Sequence, residues 1–108
     1  GPVCLRDRAT EEGIKPQIYT HPIGYYGHGS GPTIGMWDKQ EGVPIIGDYP
    51  LFPNTAYSIE LNAKVHIKEW DKEVVIMLEE DALFDGKTCD YIDPRQTEMI
   101  IIDWETDK

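Results

Sequence analysis

Residues 56–84 read AYSIELNAKVHIKEWDKEVVIMLEEDALF, and the reading of this stretch decides the fold. Residues 56–67 alternate: Tyr57, Ile59, Leu61, Ala63, Val65 and Ile67 fall on one face, and Ser58, Glu60, Asn62, Lys64 and His66 on the other. A period of two with one apolar side is that of a half-buried strand. Residues 74–84 form a second strand, with Val74, Ile76, Leu78, Ala82 and Phe84 on one face. Residues 68–73 turn the chain between the two, which predicts a β-hairpin. In an antiparallel hairpin, opposed positions have a constant sum, so a turn centred between Glu69 and Trp70 sets Glu60 across from Glu79. Glutamate is depleted in strands. Two carboxylates facing each other across a ladder destabilise it, unless a cation lies between them or one stays protonated. Parity selects Glu79 over Glu80, because Glu80 shares the face of Val74, Ile76 and Leu78. The alternative for the same residues is a solvated acidic strand face, the commoner setting for a carboxylate.

Upstream of this hairpin, residues 29–55 are rich in glycine and proline (GSGPTIG, then EGVPIIGDYPLFPN) and read as a long irregular loop. Ordered loops of that length are functional or packed around a site. Residues 17–28 lean towards strand, and residues 3–12 read as the tail of a helix stopped by Gly13 and Pro16. Downstream, Asp85-Gly86 marks a turn, and residues 99–102 are a short apolar run, expected as a buried closing strand. The pattern is that of an α+β single domain over 1–108, an antiparallel sheet with few helices. Hydrophobic residues at 40% and charged residues at 28% argue against wholesale disorder. The formal net charge of −10 repels a phosphate backbone, so nucleic acid and anionic membranes are poor partners, and cations or basic partners better ones. No run approaches the roughly 18 apolar residues of a membrane span. Cys4 and Cys89 make neither a disulfide framework nor a CxxC site, and free thiols are expected. Gly1-Pro2 has the form of a protease-cleavage scar, which predicts a native start further upstream.

The histidines weigh against a purely solvated acidic face. His21 and His28 bracket HPIGYYGH, whose glycines allow close backbone approach or re-aim a side chain. Imidazole plus carboxylate is a ligand set for a divalent transition metal. His66 alternates on the Glu60 face but lies nearer the turn, and reads as an exposed strand residue. The glycines at 24, 27, 29, 31 and 35 lack the GxxxxGK[ST] pattern and its strand-then-helix context, so they read as a structural loop. Ser30 and Ser58 show no nucleophile elbow. Trp37, Trp70 and Trp104 are expected to pack in the core or at its rim.

Three stretches then occur in an order that resembles the C-terminal half of the pita-bread metallopeptidases: methionine aminopeptidase, aminopeptidase P and prolidase, the creatinase-like group. The first is His21-Pro22-Ile23-Gly24 followed by His28. The second is Leu51-Phe52-Pro53-Asn54 leading to Ile59-Glu60. The third is Leu78-Glu79-Glu80, then Ala82-Leu83-Phe84 and Asp85-Gly86. The resemblance covers residues 14–86, and residues 93–102 look like the chain end of Xaa-Pro peptidases.

The resemblance implies a curved antiparallel sheet, one of two pseudo-symmetric halves, and hydrolysis of a peptide bond near a peptide's N-terminus by a metal-activated water. It implies two divalent ions (Mn, Co or Zn) in the parent enzyme. His21, Glu60 and Glu79 would be metal ligands, with Glu79 bridging. Glu60 would also handle the proton of the attacking water, and His28 would contact substrate and stabilise the tetrahedral intermediate. Two aspartates that the family needs have no counterpart in 1–20, which implies a missing N-terminal half, weak or absent metal binding and no activity from this chain alone. A further family histidine falls at Gln17, and a basic residue at Met77. An open sheet edge implies self-association. Two other function classes remain: a metal-free pita-bread-like module that binds a peptide or protein, and an acidic β-rich interaction domain.

Overall fold

A computed structural model describes residues 2–104 apart from positions 46 and 48. A helix, α1 (Pro2–Glu11), precedes four strands: β1 (Lys15–Pro22), β2 (Thr55–Ile67), β3 (Lys72–Phe84) and β4 (Cys89–Tyr91). The strands form one antiparallel sheet in the order β1-β2-β3-β4, which makes the class α+β. The helix stops where the sequence expects. Gly13 takes φ 79°, its N–H donates to Thr10 O at 3.0 Å and the Ile14 N–H to Ala9 O at 3.0 Å. That pair of bonds satisfies carbonyls the helix end leaves open, and the left-handed conformation suits glycine.

β2 and β3 pair with Glu60 opposite Glu79, the register the sequence predicts. The turn is tighter than 68–73, because the ladder runs inward to Ile67↔Lys72. Two bonds close it, Trp70 N–H to Ile67 O and Asp71 N–H to Lys68 O, both 3.2 Å. Asp71 sits at φ 47°, a conformation aspartate tolerates. β1 adds to the far side of β2, with His21 opposite Ser58 and Tyr19 opposite Glu60.

The best-buried apolar residues, Tyr57 (3% exposed) and Ala82 (1%), lie on one row across the sheet with Pro22 and Tyr91. The Tyr57 hydroxyl accepts from Phe52 N–H at 2.8 Å, which ties the end of the long loop to that row. The next row, on the opposite face, carries buried His21 and Ser58. Away from these rows most of β3 is bare. Leu61, Ile76 and Leu78, on the face the alternation marks as apolar, are 36%, 47% and 58% exposed. The helix lies against β1, so no described element covers β3. The radius of gyration is 16.5 Å, against about 13 Å for a compact chain of this length.

Two expectations fail. Residues 99–102 do not form a buried closing strand: Met99, Ile100, Ile101 and Ile102 are irregular and at least 71% exposed. The place beside β3 goes to β4, and that ladder ends early for a local reason. Asp85 N–H donates to Thr88 O, and Ile92 N–H to Asp81 O, so odd-numbered residues of β3 face this partner. The next donor in sequence would be the N–H of residue 94, aimed at Glu79 O, and residue 94 is proline, which has none. The tryptophans also depart from core packing, with Trp37, Trp70 and Trp104 at least 67% exposed. Cys89 is free and exposed, as expected; the Cys4 side chain falls outside the described part of the chain, as does Gly1.

Candidate metal centre

β1 and β2 bring the candidate residues together because their register sets the rows beside one another. His21 is 4% exposed and stands opposite Ser58; Glu60 is the next residue on the same face of β2. His21 Nε2 lies 2.8 Å from Glu60 Oε1. The other ring nitrogen, Nδ1, lies 3.0 Å from the carbonyl oxygen of Pro22. A carbonyl only accepts, so Nδ1 carries a hydrogen and Nε2 is the nitrogen turned towards the carboxylate. A proton held between Nε2 and Oε1 completes that contact. A divalent cation is the other species that satisfies a lone pair and a carboxylate at once, and a carbonyl fixing the far nitrogen is the usual support of a metal-ligating histidine.

His28 reaches this point through a tight loop. Gly29 N–H donates to Pro22 O at 2.7 Å, Ile23 N–H to Ala56 O at 2.9 Å and Gly27 N–H to Gly24 O at 3.0 Å. A Cβ on Gly24 would run into the carbonyl oxygen of His28 and lie 2.9 Å from Gly29 Cα, so only glycine allows the closure. The closure stacks His28 on His21, with ring centroids 4.2 Å apart and planes 14° apart.

The donor atoms of His21, His28 and Glu60 lie within 4.8 Å of one another. The stack divides their roles. An imidazole lone pair lies in the ring plane, so two near-parallel rings 4.2 Å apart cannot both aim at one ion 2.0–2.1 Å away. His21 and Glu60 are therefore the convergent pair, and His28 lies over the imidazole face. The donor set fits a divalent ion in chemistry and supplies two protein ligands to it, short of the four of a closed site.

Glu79 stands opposite Glu60 on the ladder but outside this group. Its Oε1 accepts from the Ser58 hydroxyl at 2.8 Å. The opposed carboxylates thus turn to different partners, Glu60 to His21 and Glu79 to Ser58. Tyr19, opposite Glu60 on β1, holds its phenol proton more tightly than usual, through burial first and the Glu60 charge second. His66 is exposed and lies 3.4 Å from Asp71 at the turn, away from the site, as expected.

Both carboxylates open onto a cleft of about 280 Å³ that Tyr19, Trp37 and Asn62 also line. Gln17 and Met77 lie at either end of one row through Asn62. Gln17 Oε1 accepts from Asn62 Nδ2 at 2.8 Å. This floor is a neutral amide pair beside a thioether. Sequence reasoning missed Tyr19 and Ser58. The place of Tyr19 follows from the β1–β2 register, which a connection as long as residues 23–54 leaves undetermined, and the Ser58 contact from a rotamer across β2 and β3. Comparison of the chain with protein-family profiles, with curated proteins and with solved structures finds no match.

Proposed function

We propose that this chain carries the histidine–glutamate part of a metal-dependent hydrolase centre, in the C-terminal half of a pita-bread metallopeptidase of the Xaa-Pro aminopeptidase or dipeptidase type. One observation carries the reading: His21 Nε2 and Glu60 Oε1 converge at 2.8 Å while Pro22 O fixes the far nitrogen. The ordered motifs around His21, His28, Glu60 and Glu79 support the family. A divalent ion held by His21 and Glu60, with Glu79 and donors from an N-terminal half, would lower the pKa of a water and polarise the scissile carbonyl. The chain's own residues do the rest. Glu60 would also take the proton of the attacking water, at the carboxylate oxygen that the ion leaves free. His28, over the face of His21, presents a ring N–H to an oxygen that gains negative charge. Ser58 holds Glu79 in place from a buried position.

The test is the chain joined to its preceding half, supplied with Mn or Co and an Xaa-Pro peptide. Hydrolysis is expected, with Glu60→Gln and Glu79→Ala each abolishing it. Absence of hydrolysis in the joined protein, or hydrolysis indifferent to Glu60→Gln, contradicts the reading. A second reading, a metal-free binding module on the same scaffold, is favoured by one feature: Glu79 is engaged by Ser58 rather than by the His21 group. It requires peptide binding that survives Glu79→Ala.

A further inference from the structure

The two long flanks of the sheet are treated in opposite ways. Along the outer edge of β1, the even-numbered residues face outward, and each of their N–H groups is paired or absent. Pro16 and Pro22 have no N–H to offer, and Pro22 O accepts from Gly29 N–H. Ile18 N–H donates to the Gln40 side chain at 2.8 Å, and Thr20 N–H to Ile34 O at 3.2 Å. Natural sheets blunt their edges by such means.

The outer edge of β3 has none of them. β4 covers only Ala82–Phe84, with one bond further on at Asp81 O. By the alternation set at Asp81 and Asp85, Val75, Met77 and Glu79 point their N–H and C=O groups outward, and no described residue pairs with them. The side chains beside them are apolar and open: Val75 is 42%, Ile76 47%, Met77 78% and Leu78 58% exposed. A groove of about 570 Å³ runs along this edge, with Leu78 on one wall and residues 95–99 on the other. Its far end is acidic, where Glu79, Glu80, Asp81 and Asp93 crowd together.

We propose that the free edge of β3 is a docking site for an extended basic peptide, which adds to the sheet as a strand antiparallel or parallel to β3. Main-chain bonds to Val75, Met77 and Glu79 supply the pairing, the apolar side chains take alternate residues, and the acidic end takes lysine or arginine. Charge selects this occupant over a second copy. The chain carries a net −10, and edge-to-edge pairing with itself would oppose like fields. The inference rests on the edge alone and stands whether or not the metal reading holds.

The probe is an acetylated, amidated Lys-Val-Lys-Val-Lys-Val hexapeptide, compared with a version N-methylated at every residue. The two have equal charge, but the second cannot pair along a strand. The first is expected to bind the full chain at least tenfold more tightly, and to protect the amides of Val75, Met77 and Glu79 from hydrogen exchange. Met77→Pro removes an N–H that points away from β2, so the β2–β3 ladder keeps its bonds while binding is lost. Equal binding of the two peptides would reduce the effect to charge and overturn the proposal. So would amides of Val75, Met77 and Glu79 already protected without peptide, which would mean that a second copy or residues 99–102 occupy the edge.

Discussion

His21 does two things at once because it is buried between a carbonyl and a carboxylate. One nitrogen is spent on Pro22, and this orients the other towards Glu60. The partner ring arrives only because residue 24 has no side chain. Gly24→Ala is expected to open the loop, separate His28 from His21 and cost about 1–3 kcal/mol, as overpacking against backbone does. Loss of the ring-current shifts on both histidines, read by NMR, would report the separation; an intact stack in the variant would show that the loop yields elsewhere. Tyr19 reports on the same charge from the opposite strand. Removing that charge by Glu60→Gln should bring its titration down towards the ordinary value, without reaching it, because burial is the larger cause. The sign for stability follows. The unfolded chain loses this proton first, so the protein binds more protons than the unfolded chain as pH rises past about 10. Stability therefore falls in that range, and Tyr19→Phe should flatten the decline in an alkaline denaturation series. At this scale parity alone places Glu60 across from Glu79, as the ladder has it, whereas the group that converges is His21, His28 and Glu60, with Glu79 outside it. The Ser58 contact of Glu79 and the stacking of His28 were not legible in the sequence, because both depend on rotamers and a loop closure that spacing does not encode.

The elements repeat the lesson. The β2–β3 hairpin was readable down to its register, since alternation on both arms fixes which residues can face each other. The β3–β4 hairpin was half readable: Asp85-Gly86 marked its turn, but the strand it leads into is β4 and not residues 99–102. What the apolar content of those residues concealed was Pro94, one bond short of extending the ladder. Asp85 anchors that turn. Its Oδ1 accepts from the N–H groups of Lys87 and Thr88, both at 2.7 Å, and these bonds hold its pKa below the usual value. A depressed pKa contributes stability that is present above the unfolded value near 4 and lost as pH falls. The β3–β4 hairpin should therefore loosen on acidification, seen as faster exchange of the Lys87 and Thr88 amides. Asp85→Asn should remove that pH dependence while keeping one acceptor. Unchanged exchange between neutral and acid pH would remove Asp85 from this role.

At the scale of the whole molecule, the described residues form a single sheet with the candidate site on one face and, on the other, an apolar surface buried at Tyr57 and Ala82 and open at Leu61, Ile76 and Leu78. Burial concentrates on two neighbouring rows, and the His21–Glu60 pair lies at their margin. That placement makes the site rigid without enclosing it, so a cation can enter from the cleft that Glu60 and Glu79 line. It also explains why composition alone was misleading about the tryptophans. With no second layer over β3 among the described residues, aromatic residues have little interior to enter.

The central claim is that His21 Nε2 and Glu60 Oε1 share a divalent cation. A proton and a metal ion compete for the same lone pair and carboxylate, so affinity must rise with pH. The most direct measurement is a zinc titration followed through the ¹⁵N resonances of the histidine side chains. A large shift is expected at His21 Nε2, with the Nδ1–H signal retained, a ligand-type shift absent at His28, and the response abolished by Glu60→Gln. Histidine spectra indifferent to zinc, or equal shifts at His21 and His28, would contradict the account.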